Sequence, residues 1–362
     1  MNTDSSIGSA GEFGVYVHIP FCSRRCDYCA FATWTDRDHL VDAYVDAIVT
    51  DIGRHVAAGM RTADTVFVGG GTPTRIPAGQ LARIISAIPV SDAPEITVEC
   101  NPDDVTESMM RTYVAAGVNR ISIGVQSMVD EVLVVLGRSH DPDNVRRAVG
   151  AARAAGIGSV NLDLIYGAHG ETIDQWRLTL QTAIELRPEH VSAYGLTVEA
   201  GTPLALDPAR HPDDDDQADK YLLADELLTA AGLANYEISN WALPGHESRH
   251  NRVYWNQGDY AGLGCAAHSH DSGRRFWNVR TPDRYIDCIA SGVSPVAADE
   301  VLDEDTRTFE RLELSLRTRS GVPVGALDES ALEGLVERRG ERVVLTRRGR
   351  LLANEVSLRL NP

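Results

Sequence analysis

From residue 15 to about residue 198 the chain alternates short apolar runs with amphipathic stretches, and no other feature limits its fold as strongly. The runs 15–19, 65–68, 96–99, 120–125, 159–164 and 191–195 are short and apolar and read as strands. The stretches 39–55, 79–87, 106–115, 144–155 and 173–186 repeat apolar residues at helical spacing. Parallel neighbours need crossover connections, so strand–helix units in series predict a parallel α/β sheet. In such barrels the functional groups gather at the C-terminal ends of the strands.

The first strand runs straight into the densest chemistry of the chain. Tyr16-Val17-His18-Ile19-Pro20-Phe21 is followed by Cys22, Cys26 and Cys29 in the spacing Cys-x3-Cys-x2-Cys. Pro20 lacks an N–H and ends the strand just before the first sulfur. Three thiolates on one short loop can hold three irons of a four-iron cluster and leave the fourth open. Structural zinc normally closes with four ligands, and the candidates for a fourth, His18, His39 and Cys100, form no second close pair. A disulfide would leave one sulfur of the odd set over.

Polar residues follow each later strand. After the second comes Gly69-Gly70-Gly71-Thr72-Pro73-Thr74, whose glycines allow close backbone approach and whose bare N–H groups could cradle a carboxylate or amino group. The third ends in Glu99-Cys100, the fourth in Gln126, with Arg138 further on, and the fifth carries Asp163. Taken singly, each is as readily a structural hydrogen-bonding group. Together they converge on one mouth.

Composition narrows the partners. Over 362 residues the net charge is −18, which disfavours nucleic acid and a broad electrostatic grip on anionic membrane. Lys220 is the only lysine, which reads as composition bias, and the acidic run Asp213 to Asp216 reads as a solvated helix flank. The Gly/Ser-rich stretch 1–14 has no basic start or apolar core, so it is expected to be a flexible N-terminus and no signal peptide. No run of about 18 apolar residues occurs, and the cysteine usage fits a reducing compartment, which points to the cytoplasm.

The cysteine spacing, its Tyr-Val-His-Ile-Pro-Phe lead, Phe31 and the Gly-Gly-Gly-Thr-Pro turn resemble the radical S-adenosylmethionine (SAM) family. The branch resembled is that of oxygen-independent coproporphyrinogen oxidase and its haem-chaperone relatives. The resemblance implies a partial (β/α)6 TIM-type barrel, with a [4Fe–4S] cluster on Cys22, Cys26 and Cys29 whose open iron takes SAM. It implies that Tyr16 and Tyr28 flank cluster and adenine, that Gly70, Gly71 and Thr72 meet the methionine moiety, and that Glu99, Gln126, Arg138 and Asp163 contact polar and ribose groups. Cys100 matches no ligand role and reads as a small core residue.

Beyond residue 200 the texture changes. A polar, aromatic tract from Tyr236 to Asp271 contains His250-Asn251-Arg252-Val253-Tyr254-Trp255. Here an imidazole could ligate haem iron while the rings pack on the porphyrin, or His250 could be a capping group beside packing aromatics. The segment resembles the one assigned to haem binding in the chaperone relatives, which implies haem contacts from His250, Asn251, Tyr254 and Trp255. Residues 201–300 are therefore expected to complete the barrel and carry the haem segment. Residues 301–362 are expected to form a small, mainly helical, winged-helix-like domain, with helices at 306–316 and 326–337.

Oxidase-type relatives usually carry a further cysteine two places after the third, where this chain has Phe31, and a longer segment ahead of the cluster. The expected function is thus a haem chaperone that delivers haem to acceptors such as membrane-bound respiratory enzymes, working in the cytoplasm or peripherally at the membrane and allowing a homodimer. The alternative is coproporphyrinogen III oxidase.

Overall fold

The computed structural model describes residues 11–361. Most of the expected flexible stretch 1–14 lies outside them, and Gly14 already opens the first strand. Six strands, β1 (Gly14–Ile19), β2 (Ala63–Gly70), β3 (Val90–Cys100), β4 (Arg120–Gln126), β5 (Ser159–Tyr166) and β6 (His190–Gly195), pair in parallel in sequence order. The crossovers carry α1 (Val41–Ala57), α2 (Ala78–Ala87), α3 (Glu107–Ala115), α4 (Asp130–Val135), α5 (Pro142–Ala155) and α6 (Ile173–Glu185).

Local chemistry sets these boundaries. The Thr106 side chain accepts the Met109 N–H at the start of α3, Asp141 caps α5 ahead of Pro142, and Thr172 with Gln175 forms a capping box on α6. Val15, Val17 and Ile19 on β1 are fully buried, as are Val66, Val68, Ile121, Ile123, Leu162 and Leu164 on its neighbours. Each such side chain contributes about 1.5–3 kcal/mol by leaving water. The alternate residues face the other way and are free to build a site.

Two strands, β7 (Ala234–Glu237) and β8 (Asn240–Ala242), pair antiparallel beyond β6. On the opposite edge β9 (Tyr260–Leu263) adds a further parallel strand beside β1, and β10 (His268–Asp271), β11 (Arg274–Asn278) and β12 (Val296–Val301) continue antiparallel. The outermost strands β12 and β7 are not paired to each other, so the barrel is partial. The remaining barrel helices are α7 (Asp214–Ala230), α8 (Arg249–Trp255) and α9 (Pro282–Ala290).

Lys220 is fully buried on α7, with Nζ 2.5 Å from Asp216 and 3.4 Å from the buried Glu171. Asp213, Asp214 and Asp215 stay exposed, as expected of a solvated helix flank, so of the acidic run Asp216 alone reaches this lysine.

At the C-terminus α10 (Glu304–Leu316) precedes a three-stranded sheet of β13 (Val322–Pro323), β14 (Val336–Arg339) and β15 (Arg342–Leu345), then α11 (Arg347–Leu351) and α12 (Ala353–Ser357). The helix expected over 326–337 does not form. Gly334 turns at φ +76°, and beyond it Val336 enters the β14–β15 hairpin. Leu316, Leu332, Val343 and Val356 build a separate small core, tied to α7 by Arg350 on Asp225 at 3.0 Å.

Candidate functional site

The sulfur loop is closed at its neck. Phe21 forms a β-bridge with Trp34, the Cys22 N–H donates to the Trp34 carbonyl at 3.0 Å, and the Trp34 N–H donates to Pro20 at 2.8 Å. Within the loop the Cys29 N–H donates to Cys26 at 3.2 Å, which folds the second and third sulfurs into one turn. All three cysteines are free thiols; Cys22 is buried, and Cys26 and Cys29 are half-buried. Thr72 Oγ1 lies 3.6 Å from Cys22 Sγ, and Arg138 Nη1 lies 3.7 Å from Cys26 Sγ. Burial pushes the Cys22 and Cys29 thiols up, so a bound cation is what would draw them into the thiolate form. Among the described residues no three metal-binding side chains converge on one point. A cluster that takes one sulfur per iron asks for no such point.

The glycine turn works differently from its expected role. The Gly71 N–H donates to Ile19 at 2.7 Å and the Thr72 N–H to Phe21 at 2.8 Å, while the Gly70 N–H donates to Glu99 Oε2 at 3.0 Å. Those donors are engaged within the protein and form no open cradle. The glycines are there for space: a Cβ on Gly71 would stand 2.8 Å from two backbone oxygens and 3.0 Å from Cys22 Sγ, and one on Gly70 would collide with the His18 ring. His18 bridges β1 to the loop, with Nδ1 3.0 Å from Tyr16 Oη and Nε2 2.9 Å from Ala32 O.

Inside the barrel lies a polar chamber of about 250 Å³, and Tyr16, Gly70, Glu99, Asp163, Asn251 and Tyr254 line it together. Burial, then the neighbouring Asp163 charge, raises Glu99 to about 7, and burial also raises Asp163. Arg120 shares the chamber, and its Nε is buried without a hydrogen-bond partner. The chamber thus has two carboxylates that favour a cation and a guanidinium with room for an acceptor. A sulfonium nucleotide bearing an amino acid carries both kinds of group, so these residues fit SAM.

The other expected contacts lie outside this chamber's lining, with Arg138 beside Cys26. Arg138 donates to Gly124 O at 3.0 Å, and Gln126 holds φ +62° at the tip of β4 beside the same glycine. Tyr28 packs against the apolar cluster around Val132 and Leu136. Missed in the sequence were Arg120, Ser122, Asn161, Ser192 and Tyr194, which line the chamber from β4, β5 and β6. Their signal was present: each lies two residues from another inward polar position on its strand. Ser122 Oγ and Asn161 Nδ2 bond the Asp163 carboxylate at 2.6 Å and 2.8 Å.

The haem segment is partly corrected. His250 is fully buried, its Nδ1 2.8 Å from Thr65 Oγ1 and its Nε2 2.8 Å from Tyr254 Oη, so both ring nitrogens are occupied. Burial and the Arg120 charge lower it to about 3. This imidazole is a packing and bridging group in this conformation, not an open axial ligand. Trp255 packs edge-on against Tyr236 at 5.8 Å and lines neither chamber described here. Asn251 and Tyr254 do face the interior.

An outer chamber of about 820 Å³ adjoins the polar one, and the two share Tyr16, Phe31 and Tyr254. Its walls are the loop 30–32 just past Cys29 and the β9–β11 edge.

A parallel partial barrel with three free thiols at the mouth of its first strand defines a class, and the Radical SAM superfamily model matches residues 16–183. The solved structure of coproporphyrinogen III oxidase (HemN) from Escherichia coli has the same fold, with a TM-score of 0.84 over 96% of this chain and 89% of that one at 23% identity. Heme chaperone HemW of Mycobacterium tuberculosis is 39% identical over 95% of this chain and 93% of its own. HemW of Bacillus subtilis is 34% identical over 94% and 97%, and that of Escherichia coli 36% over 94% and 96%. The chain belongs to the HemW family of radical SAM proteins.

Proposed function

We propose that this chain is a haem chaperone, one that binds haem and passes it to haem-requiring proteins and that carries a [4Fe–4S] cluster and SAM. The observation that carries the reading is likeness to proteins named Heme chaperone HemW over 95% of the chain. Cys22, Cys26 and Cys29 would hold the cluster, which when bound supplies an iron with an open position and a one-electron reductant. Around it the chain's own groups set the electrostatics. Arg138 offsets negative charge at Cys26, Thr72 orients Cys22, and Glu99 and Asp163 offer negative charge to the sulfonium and amino groups. Arg120 meets a carboxylate or hydroxyl, and Tyr16 and Tyr254 wall the chamber off from the outer one. Gly70 lines the same chamber, and in this proposal Tyr28, Gly71 and Gln126 would extend the binding surface beyond it toward the sulfur loop.

Phe31 is 65% exposed at the neck between the chambers, where the oxidase-type pattern carries a cysteine, and this favours the chaperone over the oxidase. Among the described residues no helix is long and apolar enough to cross a membrane. Acceptors among membrane-bound respiratory enzymes, action at the cytoplasmic face and a homodimer are parts of this proposal. Anaerobic incubation of the reconstituted protein with coproporphyrinogen III, SAM and reductant tests it. No protoporphyrinogen IX is expected, and substantial product would overturn the reading in favour of the oxidase.

A further inference from the structure

Haem is a flat apolar macrocycle with two carboxylates on one edge and an iron that takes an axial imidazole. The inner chamber suits it badly, because at about 250 Å³ it is small and two buried carboxylates would face the propionates. The outer chamber, about 820 Å³, falls within the size range of cofactor pockets. Aromatic rings from Phe31, Tyr254, Tyr260 and Trp277 line it, and Phe31 is a large apolar side chain left mostly in solvent.

The histidines around it separate cleanly. His18 and His250 have both ring nitrogens engaged, as described above. His270 is engaged too, by the Gly258 carbonyl at 3.0 Å and the Gly273 N–H at 3.1 Å. His268 is exposed, lines the chamber and stacks on Trp277 at 5.5 Å, and among the described residues no hydrogen bond holds its ring. Arg280 and Arg284, both exposed, stand on the same rim, and among the described residues neither is in an ion pair. In a chain of net charge −18, two guanidiniums on one rim of an aromatic chamber, neither engaged by an acid among the described residues, mark a place for carboxylates.

We propose that haem occupies the outer chamber, with His268 on its iron and Arg280 and Arg284 on its propionates, a placement that rests on the haem-chaperone reading above. It puts the cargo against the loop 30–32, one residue past the third sulfur, with Phe31 over its face.

Haemin titration of the reconstituted full-length protein, followed by absorbance, tests the placement. His268→Ala is expected to weaken haemin binding about tenfold or more and to lose the imidazole-ligated Soret band, which added imidazole restores. The pair Arg280→Glu and Arg284→Glu is expected to weaken haemin by a similar factor while leaving haemin dimethyl ester unaffected. His250→Gln, which keeps hydrogen-bonding capacity in a buried position, is expected to retain the wild-type band. A His268→Ala protein with unchanged affinity and band, or arginine variants that bind both porphyrins as wild type does, would overturn the placement. Wild-type protein that takes up no haemin would overturn the chaperone reading itself and the placement with it.

Discussion

The Glu99 carboxylate accepts the backbone N–H of Gly70 at 3.0 Å, tying the tip of β3 to the last residue of β2. Gly70 holds φ +109°, and a side chain there would run into the His18 ring. Gly70→Ala is therefore expected to destabilise the fold by about 1–3 kcal/mol and to weaken SAM binding, read by urea denaturation and calorimetry. Unchanged values for both would show that the turn tolerates a Cβ.

The pH dependence of Glu99 follows from its environment. Its folded value of about 7 stands above the ordinary 4.5, so the neutral form is favoured on folding. That contribution is complete below about pH 4.5 and is lost as pH rises through about 7. Glu99→Gln is expected to match wild-type stability at low pH and to exceed it near pH 8, by on the order of 1–3 kcal/mol. A cation in the chamber draws the value back down, so SAM binding near pH 7 should release up to about half a proton from Glu99 in wild type, and correspondingly less from Glu99→Gln. Calorimetry in buffers of different ionisation enthalpy measures this; equal proton release in both proteins would contradict it.

Much of this architecture is legible in the chain, and the remainder has definite reasons for being hidden. Strands β1 to β6 announce themselves because each carries a short apolar run set between amphipathic helical stretches, and the cysteine loop is written in one segment. The parallel strand β9 is four residues long and pairs with Gly14 to Val17 from across the chain, so nothing near Tyr260 reveals its partner. The glycine turn is recognisable as a close approach, but what approaches it is the protein's own Ile19 and Phe21 carbonyls. The sequence leaves His250 as either a haem ligand or a capping group, and its bridging role stays hidden because its partner Thr65 lies 185 residues away. The segment 326–337 has helical periodicity, and Gly334 with the β14–β15 pairing overrides it.

Each sulfur can be tested singly. Cys22→Ala, Cys26→Ala and Cys29→Ala are each expected to abolish the visible absorbance of the reconstituted cluster and most of the bound iron, with the far-ultraviolet circular dichroism retained. Thr72→Val, which removes the hydroxyl 3.6 Å from Cys22 Sγ, should leave the cluster in place with altered reduction behaviour. Stoichiometric zinc in place of iron, or a full cluster in any cysteine variant, would contradict the ligand set.

The lone lysine is a structural ion. Lys220→Met would leave Glu171 buried without its counter-charge, at an expected cost of about 3–5 kcal/mol. Lys220→Met with Glu171→Gln should recover part of that loss in urea denaturation. A loss below about 1 kcal/mol in the single variant would show that the network is solvated.

The most direct test of the account is haem transfer. Reconstituted protein loaded with one equivalent of haemin under anaerobic conditions is mixed with an apo-haemoprotein, and the acceptor's holo spectrum is followed with and without SAM. The account predicts that the acceptor fills as the donor's haem band falls, faster than from free haemin at the same concentration and with no porphyrin product. Haem that stays bound, or an acceptor filled no faster than by free haemin, would contradict it.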